Sequence, residues 1–291
     1  MLTLKEYNDK LARLKSTGKM TKTMKMVSAN KLRKAQKAQK DAITFEDKLN
    51  GIVSRLGVEV SPEDHPFFNL TKVPEKALVV EFTSDKGLCG GFNSNLNRKT
   101  ADWLLHNSNR FKKVEMSFSG RRGWVFFKNR LTVRRYYEGV AAKPQFTDAI
   151  HIGNDLQLAF LSGQFDEIHV AYNQVTGVLS TKPVVEKLLP MDVNLPGSAT
   201  SKQAEQGMWI YEPERHELLF ATIPRLLNLR IYSILVGTSA GEHGARMTAM
   251  DNATRNTDEL MEEFTLLRNR ARQSKITKEL AEIVGGAEAL K

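Results

Sequence analysis

The stretch 246–264, RMTAMDNATRNTDELMEEF, decides the fold. Met247, Met250, Thr254, Thr257, Met261 and Phe264 recur by threes and fours in alternation. That is the period of a helix laying a narrow apolar seam against another helix. Leu267, Ala271 and Ser274 carry the seam onward, and between Pro213 and Gly285 the one proline is Pro224, near the start. The pattern predicts a single long helical segment over 209–291, too long for a compact globule. The two glycines in SAGEHGARM (239–247) predict a local irregularity there.

Such a seam requires a partner, and the other end of the chain supplies one. Residues 1–57 contain no proline, and Leu4, Tyr7, Leu11 and Leu14 step by three and four. After Gly18 a second series runs Ala35, Ala38, Ala42, Phe45, Leu49, Ile52, Leu56. At about 1.5 Å per residue this helix would measure roughly 80 Å. The economical arrangement is an extended antiparallel coiled coil of the N-terminal and C-terminal helices.

The charge is unevenly spread. Of the net +10, residues 1–57 carry +9, with 14 Lys and Arg against 5 Asp and Glu. Between residues 19 and 40 stand Lys19, Lys22, Lys25, Lys31, Arg33, Lys34, Lys37 and Lys40, with no acid. A run of that kind seeks nucleic acid, an anionic membrane surface or acidic protein loops, unless it is simply a solvated helix face. It lacks the interleaved aromatics of a single-strand binder, and neither a helix-turn-helix nor a zinc module accompanies it.

Between the helices, residues 75–208 alternate strand and helix patterns. KALVVEFT, KKVEMSFS, LTVRRYY and FDEIHVAYNQV read as strands, and FNSNLNRKTADWLLHN, GRRGWVFFKN and FTDAIHIGNDLQLAFLSGQ as helices. Alternation predicts βαβ units in a mainly parallel, three-layer, Rossmann-like sheet, closed by the turn LPGSAT (195–200). The fold class is therefore α/β, inserted between the two halves of a coiled coil: 1–57, 75–208 and 209–291.

The first strand runs into SDKGLCGG, a glycine-rich loop placed as a phosphate-cradling loop would be. Its glycines, Gly87, Gly90 and Gly91, match neither G-x-G-x-x-G nor G-x-x-x-x-G-K-[ST]. The second strand ends at Arg121 and Arg122 instead of the acid that holds a ribose, which leaves an NADP-type site open. The plainer reading is a tight strand-to-helix turn in which Asp85 or Ser84 bonds backbone amides. Cys89, the only cysteine, rules out an internal disulfide and reads as a small buried residue. The six histidines show no ligand spacing, and no nucleophile elbow or H-E-x-x-H pair occurs. No apolar run approaches the roughly 18 residues of a membrane span, and the start resembles neither a signal nor a transit peptide. The composition reads as a soluble chain of a reducing compartment.

Three segments carry a resemblance over essentially the whole chain: KMTKTMKMVSANKLRKAQ, TSDKGLCGGFN, and EHGARMTAMDNAT with NRARQSKITKELAEIVGGAEAL. Together they resemble the gamma subunit of F-type rotary ATP synthases. The resemblance implies a rotating shaft, itself without catalytic residues, metal or cofactor, that couples ion-driven rotation of a c ring to the nucleotide sites of three beta subunits. It implies alpha and beta subunits (three of each), epsilon and the c ring as partners, no nucleic acid, and membrane contact only through the c ring. It places the complex on the cytoplasmic face of a bacterial plasma membrane. Matched residue by residue, it implies beta-subunit contacts from Lys22, Lys25, Lys31, Arg33, Lys34, Arg246, Arg272, Gln273, Thr277 and Glu279. Tyr211 and Glu212 fall in the foot toward the c ring and epsilon, and the end IVGGAEALK in an apolar collar. Asp85, Gly87, Cys89, Gly90 and Gly91 fall in a scaffold turn with no nucleotide to bind. Lys25 replaces an acid of some members, and Lys86 stands where many have Arg. Two other readings stay open: a dinucleotide-dependent enzyme, which would retain NADPH, and a nucleic-acid-binding coiled coil, whose affinity would fall steeply with salt.

Overall fold

The computed structural model describes residues 3–56, 65–68, 73–177, 179–191 and 212–289. Tyr211 and the LPGSAT turn lie outside them. In chain order the elements are α1 (Leu4–Leu56), β1 (Lys76–Phe82), α2 (Phe92–His106), β2 (Lys113–Ser119), α3 (Arg121–Phe127), β3 (Val133–Tyr137), α4 (Phe146–Leu161), β4 (Glu167–Val175), β5 (Thr181–Leu189) and α5 (Arg215–Ala289). They form two compact units, Met1–Ser28 with Arg246–Lys291, and Ala29–Ala245.

The first unit is a pair of helices. α1 starts on a capping box: Thr3 Oγ1 accepts the Glu6 N–H at 3.3 Å, and Glu6 Oε2 accepts the Thr3 N–H at 2.7 Å. The pairing is antiparallel. Tyr7 faces Phe264 with ring centroids 6.3 Å apart, and further along α1 the hydroxyl of Thr21 meets that of Thr254 at 2.8 Å. Met247 through Ala271 keep the expected seam, each position buried or half-buried, and Ser274 is exposed. On α1 the seam runs Leu4, Tyr7, Leu11, Leu14, Gly18, Thr21, Lys25 and Ser28, every one at least half-buried.

The second unit is the α/β domain. Its five strands lie in the order β3-β2-β1-β4-β5. The first four are parallel, and β5 is antiparallel to β4. Parallel strands need crossovers, and α2 and α3 supply two of them on one face, where Leu96 and Phe127 pack on Val79, Met116 and Phe118. On the other face Leu78, Val80 and Phe82 meet Ile152 and Leu156 of α4 and Ile223, Leu227 and Ile231 of α5. The three-layer α/β arrangement is the one the alternation predicts.

Four local readings are completed or corrected. First, β5 has no counterpart among the strands read from the sequence, where Lys182, Pro183, Glu186 and Lys187 interrupt its apolar residues. It is an edge strand, where a proline and charges are tolerated. Second, α5 runs without a break through 239–247. Its glycines admit neighbours instead of bending it: a Cβ on Gly241 would lie 2.9 Å from both Phe92 Cε2 and Thr181 Cγ2. Third, α5 is apolar enough over 18 residues to pass for a membrane span. Apart from Arg230 and Tyr232, residues 226–244 are buried, which makes this a core helix enclosed on all sides.

Fourth, the second N-terminal seam keeps Ala35, Ala38, Ala42 and Leu49 at least half-buried but shifts by one residue at two other positions. Phe45 and Ile52 are 58% and 47% exposed, whereas Glu46 and Val53 are buried. The observed series in this unit is Leu32, Ala35, Gln39, Ala42, Glu46, Leu49 and Val53, all at least half-buried. A glutamate can hold a buried seam position because Arg230 Nη1 donates to its carboxylate at 3.2 Å.

Candidate functional site

The helix pair of the first unit carries part of the basic run. Lys22 is exposed on α1. Lys25 is half-buried, and its ammonium reaches Asp251 Oδ1 of the facing helix at 2.5 Å. Hydrogen bonds from Lys25 and Arg255 hold the Asp251 carboxyl below its ordinary pKa. Lys25 therefore has a partner within the chain, which the sequence reading did not foresee. Arg246 is buried. Lys31, Arg33 and Lys34 belong to the second unit and are exposed there.

Beyond Ala271 the C-terminal helix changes character. Every residue from 272 to 286 is exposed. α1 begins at Leu4, and Tyr7 already faces Phe264, so the last turns of α5 extend past the start of their partner. Arg272, Gln273, Thr277 and Glu279 lie on this single helix. Thr277 Oγ1 donates to the Gln273 carbonyl at 3.0 Å, and Glu279 stands 3.6 Å from Lys275. Ile276, Leu280 and Ile283 form a stripe at helical spacing, 49%, 57% and 68% exposed. A helix pair with a bare amphipathic end can enter a cavity in another protein.

The glycine-rich loop follows β1, where strand order reverses between β1 and β4. In open α/β sheets, ligands bind in the crevice outside the strand ends at such a point. Here the loop's polar groups are taken up within the domain. Asp85 Oδ1 accepts the Arg121 N–H at 2.9 Å, and the Ser84 hydroxyl donates to the Lys86 carbonyl at 2.7 Å. Asn93 Nδ2 donates to the Ser84 hydroxyl at 2.8 Å and to the Cys89 sulfur at 3.2 Å. Gly90 takes φ +57°, the left-handed region glycine favours, and Leu88 shares it at 62°. Gly87 lies under the Arg122 guanidinium, Gly91 immediately precedes α2, and Cys89 is buried.

The crevice itself is closed. Phe92 at the start of α2 and Thr181 at the start of β5 pack on Gly241 of α5, and Asn173 Nδ2 donates to the Phe92 carbonyl at 3.0 Å. Between Leu32, Leu179, Gly241 and Gly244 about 10 Å³ is left, the room of one water at most. A dinucleotide does not fit where the sheet topology would put one.

Buried polar clusters hold the domain. Arg230 of α5 donates to Glu46, to the Tyr172 hydroxyl at 3.2 Å and to Glu186 at 2.7 Å, uniting α1, β4, β5 and α5. Burial pushes the Tyr172 phenol up to about 12. Arg134 clasps Asp155 with two hydrogen bonds, and the Tyr137 hydroxyl donates a third. Burial works to raise the Asp155 carboxyl, yet these partners outweigh it and hold the group below its ordinary value. Glu81, fully buried, accepts from Thr100 Oγ1 at 2.9 Å, and among the described residues its second oxygen has no partner. Burial pushes this carboxyl up to about 8. Sequence reading passed over Glu81 as one more residue of an apolar strand. Among the described residues no group of three His, Cys, Asp or Glu side chains comes together to hold a metal. Glu212 is exposed.

A family model described as ATP synthase matches residues 3–290. The ATP synthase gamma chain of Anaeromyxobacter sp. (strain K) is 39% identical over 295 residues, covering all of both chains. A chain of the Tetrahymena thermophila mitochondrial ATP synthase central stalk and c ring is 25% identical, with a TM-score of 0.57, over 80% of this chain and 99% of that one. A chain of the Euglena gracilis mitochondrial ATP synthase shares the fold at 18% identity, with a TM-score of 0.66, over 99% and 94%. An antiparallel helix pair joined to an α/β domain, matched end to end at this identity, leaves one conclusion: the chain belongs to the ATP synthase gamma-chain family.

Proposed function

We propose that this chain is the central shaft of an F-type ATP synthase, turning with an ion-driven c ring and imposing its asymmetry on the catalytic sites of three beta subunits. The observation that carries the reading is the bare end of α5, whose residues 272–286 are all exposed and bear an apolar stripe. Full-length membership in the gamma-chain family supports it. A shaft needs stiffness, and the paired helices with their interlocked seam supply it. It also needs contacts that exchange as it turns, and exposed charge pairs, worth about 0–1 kcal/mol each, are weak enough to break in sequence.

In this reading the chain does no chemistry of its own. Lys22, Lys31, Arg33 and Lys34 face acidic beta-subunit loops, with Lys25 sharing its charge between those loops and Asp251. Arg272, Gln273, Thr277 and Glu279 engage the beta subunits near the tip, and Arg246 supports the shaft from within. Tyr211 and Glu212 belong to the foot that meets the c ring and epsilon. The turn of Asp85, Gly87, Cys89, Gly90 and Gly91 shapes the domain that carries the foot. The complex holds three alpha and three beta subunits on the cytoplasmic face of a bacterial membrane.

Reconstitution tests the reading. The purified chain is mixed with alpha and beta subunits, the complex is isolated by size, and its ATP hydrolysis is compared with that of a chain truncated after Gly244. A complex of three alpha, three beta and one gamma whose activity drops on truncation is expected. Failure to associate with any compatible alpha and beta set overturns the reading.

A further inference from the structure

Three successive layers of the helix seam in the first unit are polar. Gly18 lies against Thr257, whose Cγ2 would be 3.5 Å from a Cβ on the glycine. One turn on, the Thr21 hydroxyl meets that of Thr254 at 2.8 Å, and after another turn Lys25 Nζ reaches Asp251 Oδ1 at 2.5 Å. A charged residue at a seam position costs stability unless it is neutralised across the interface, and a single carboxylate neutralises Lys25. That carboxylate serves two cations, because Arg255 Nη2 donates to Asp251 Oδ2 at 2.6 Å. The Lys25 side chain keeps 42% of its surface in solvent and that of Asp251 27%. The pair is thus accessible from outside the two helices. The flexible lysine stem lets the ammonium leave Asp251 while its methylenes stay on the seam. Lys19 and Lys22, both exposed on the same stretch of α1, pair with no carboxylate among the described residues. Of these three cations one is held and two are free.

We propose that Asp251 is a positioning residue for the shaft's contact with acidic partner loops. It competes for Lys25, so that this cation passes to an incoming carboxylate and returns to Asp251 as the shaft turns. The inference rests on the reading of the chain as a rotor, and adds to it the residue that limits the strength of one contact. Because the pair is partly exposed, moving Lys25 from Asp251 to a partner carboxylate replaces one exposed ion pair by another and changes the energy little. Arg255 keeps the Asp251 carboxylate neutralised and in place while Lys25 is away. Without a carboxylate at 251, Lys25 would join Lys22 as an unpaired cation, and the negative charge that repels an acidic loop would be gone. Both changes deepen the attraction at the angle where shaft and loop meet. Every turn must climb out of that minimum, so the internal pair keeps rotation free.

The test uses the complex of the full chain with alpha and beta subunits, isolated by size before any assay. If the parent chain does not assemble, the rotor reading fails at that step and this inference falls with it. Among assembled complexes the variants decide. At saturating ATP and about 20 mM salt, Asp251→Asn is expected to lower turnover about two- to fivefold, the range of one exposed ion pair. At about 500 mM salt, where exposed pairs are largely screened, the difference should nearly vanish. Lys25→Gln/Asp251→Asn should turn over as the parent does, and so should Asp251→Glu, which keeps the charge. If Asp251 served only to pair the helices, the loss in Asp251→Asn would persist at high salt and in the double variant. That result overturns the proposal, as does parent-like turnover of Asp251→Asn at low salt. Should Asp251→Asn not assemble, Lys25→Gln is read alone. Its turnover should respond less to salt than the parent's, and an unchanged response overturns the proposal.

Discussion

Gly241 of α5 and Phe92 at the start of α2 are in direct contact across the top of the sheet: a methyl group on Gly241 would lie 2.9 Å from Phe92 Cε2. That contact closes the crevice of a Rossmann-like sheet and converts a potential nucleotide site into packing between helix and domain. Gly241→Ala should therefore overpack the site. The clash costs about 1–3 kcal/mol, and better helix propensity returns about 1. Gly51 of α1 has nothing within 4 Å of its would-be Cβ, so Gly51→Ala should stabilise by up to about 1 kcal/mol. Thermal melting of the two variants should move in opposite directions, and a Gly241→Ala protein as stable as the parent would show that the contact is loose.

Glu81 makes stability depend on pH in an unusual sense. Its carboxyl titrates at about 8 in the folded domain against an ordinary 4.5. A raised pKa means that its contribution is fully present below about 4.5, declines as pH rises through 8, and changes no further above that. Glu81→Gln removes this slope. Urea midpoints at several pH values should diverge between parent and variant, the parent losing on the order of several kcal/mol relative to Gln by alkaline pH. Parallel profiles would mean that water or a counter-charge reaches Glu81.

Arg230 satisfies Glu46 and the Tyr172 hydroxyl together, both of them buried. Arg230→Met should destabilise by about 1–3 kcal/mol, because Glu46 is left buried without its partner. Arg230→Met/Glu46→Gln should recover part of the loss. If the double variant is no better than the single one, the coupling between the two residues is negligible.

The exposed end of α5 predicts a separation of stability from function. Of the residues that truncation after Arg270 removes, Ala271 is half-buried and 272–286 are all exposed. The melting temperature should therefore stay within about 2 °C of the parent. Reconstituted with alpha and beta subunits, the same variant should lose ATP hydrolysis several-fold. A large fall in melting temperature would instead make the tip part of the fold.

The family, the two long helices and the parallel α/β domain follow from the sequence by itself. The seam from Met247 to Ala271 is written in Met, Thr, Phe and Leu at a period no strand tolerates, and strand and helix patterns alternate plainly from Lys76 to Val175. What only the tertiary structure decided lies where a partner distant in sequence changes the cost of burying a residue. Glu46 occupies a seam position because Arg230, 184 residues away, neutralises it, and so the helix turns Phe45 outward. The glycines at 241 and 244 read as a break until Phe92 and Leu179 are seen against them. Burial depends on what fills the space opposite a residue. Local sequence encodes the period of a helix but not the identity of what it meets.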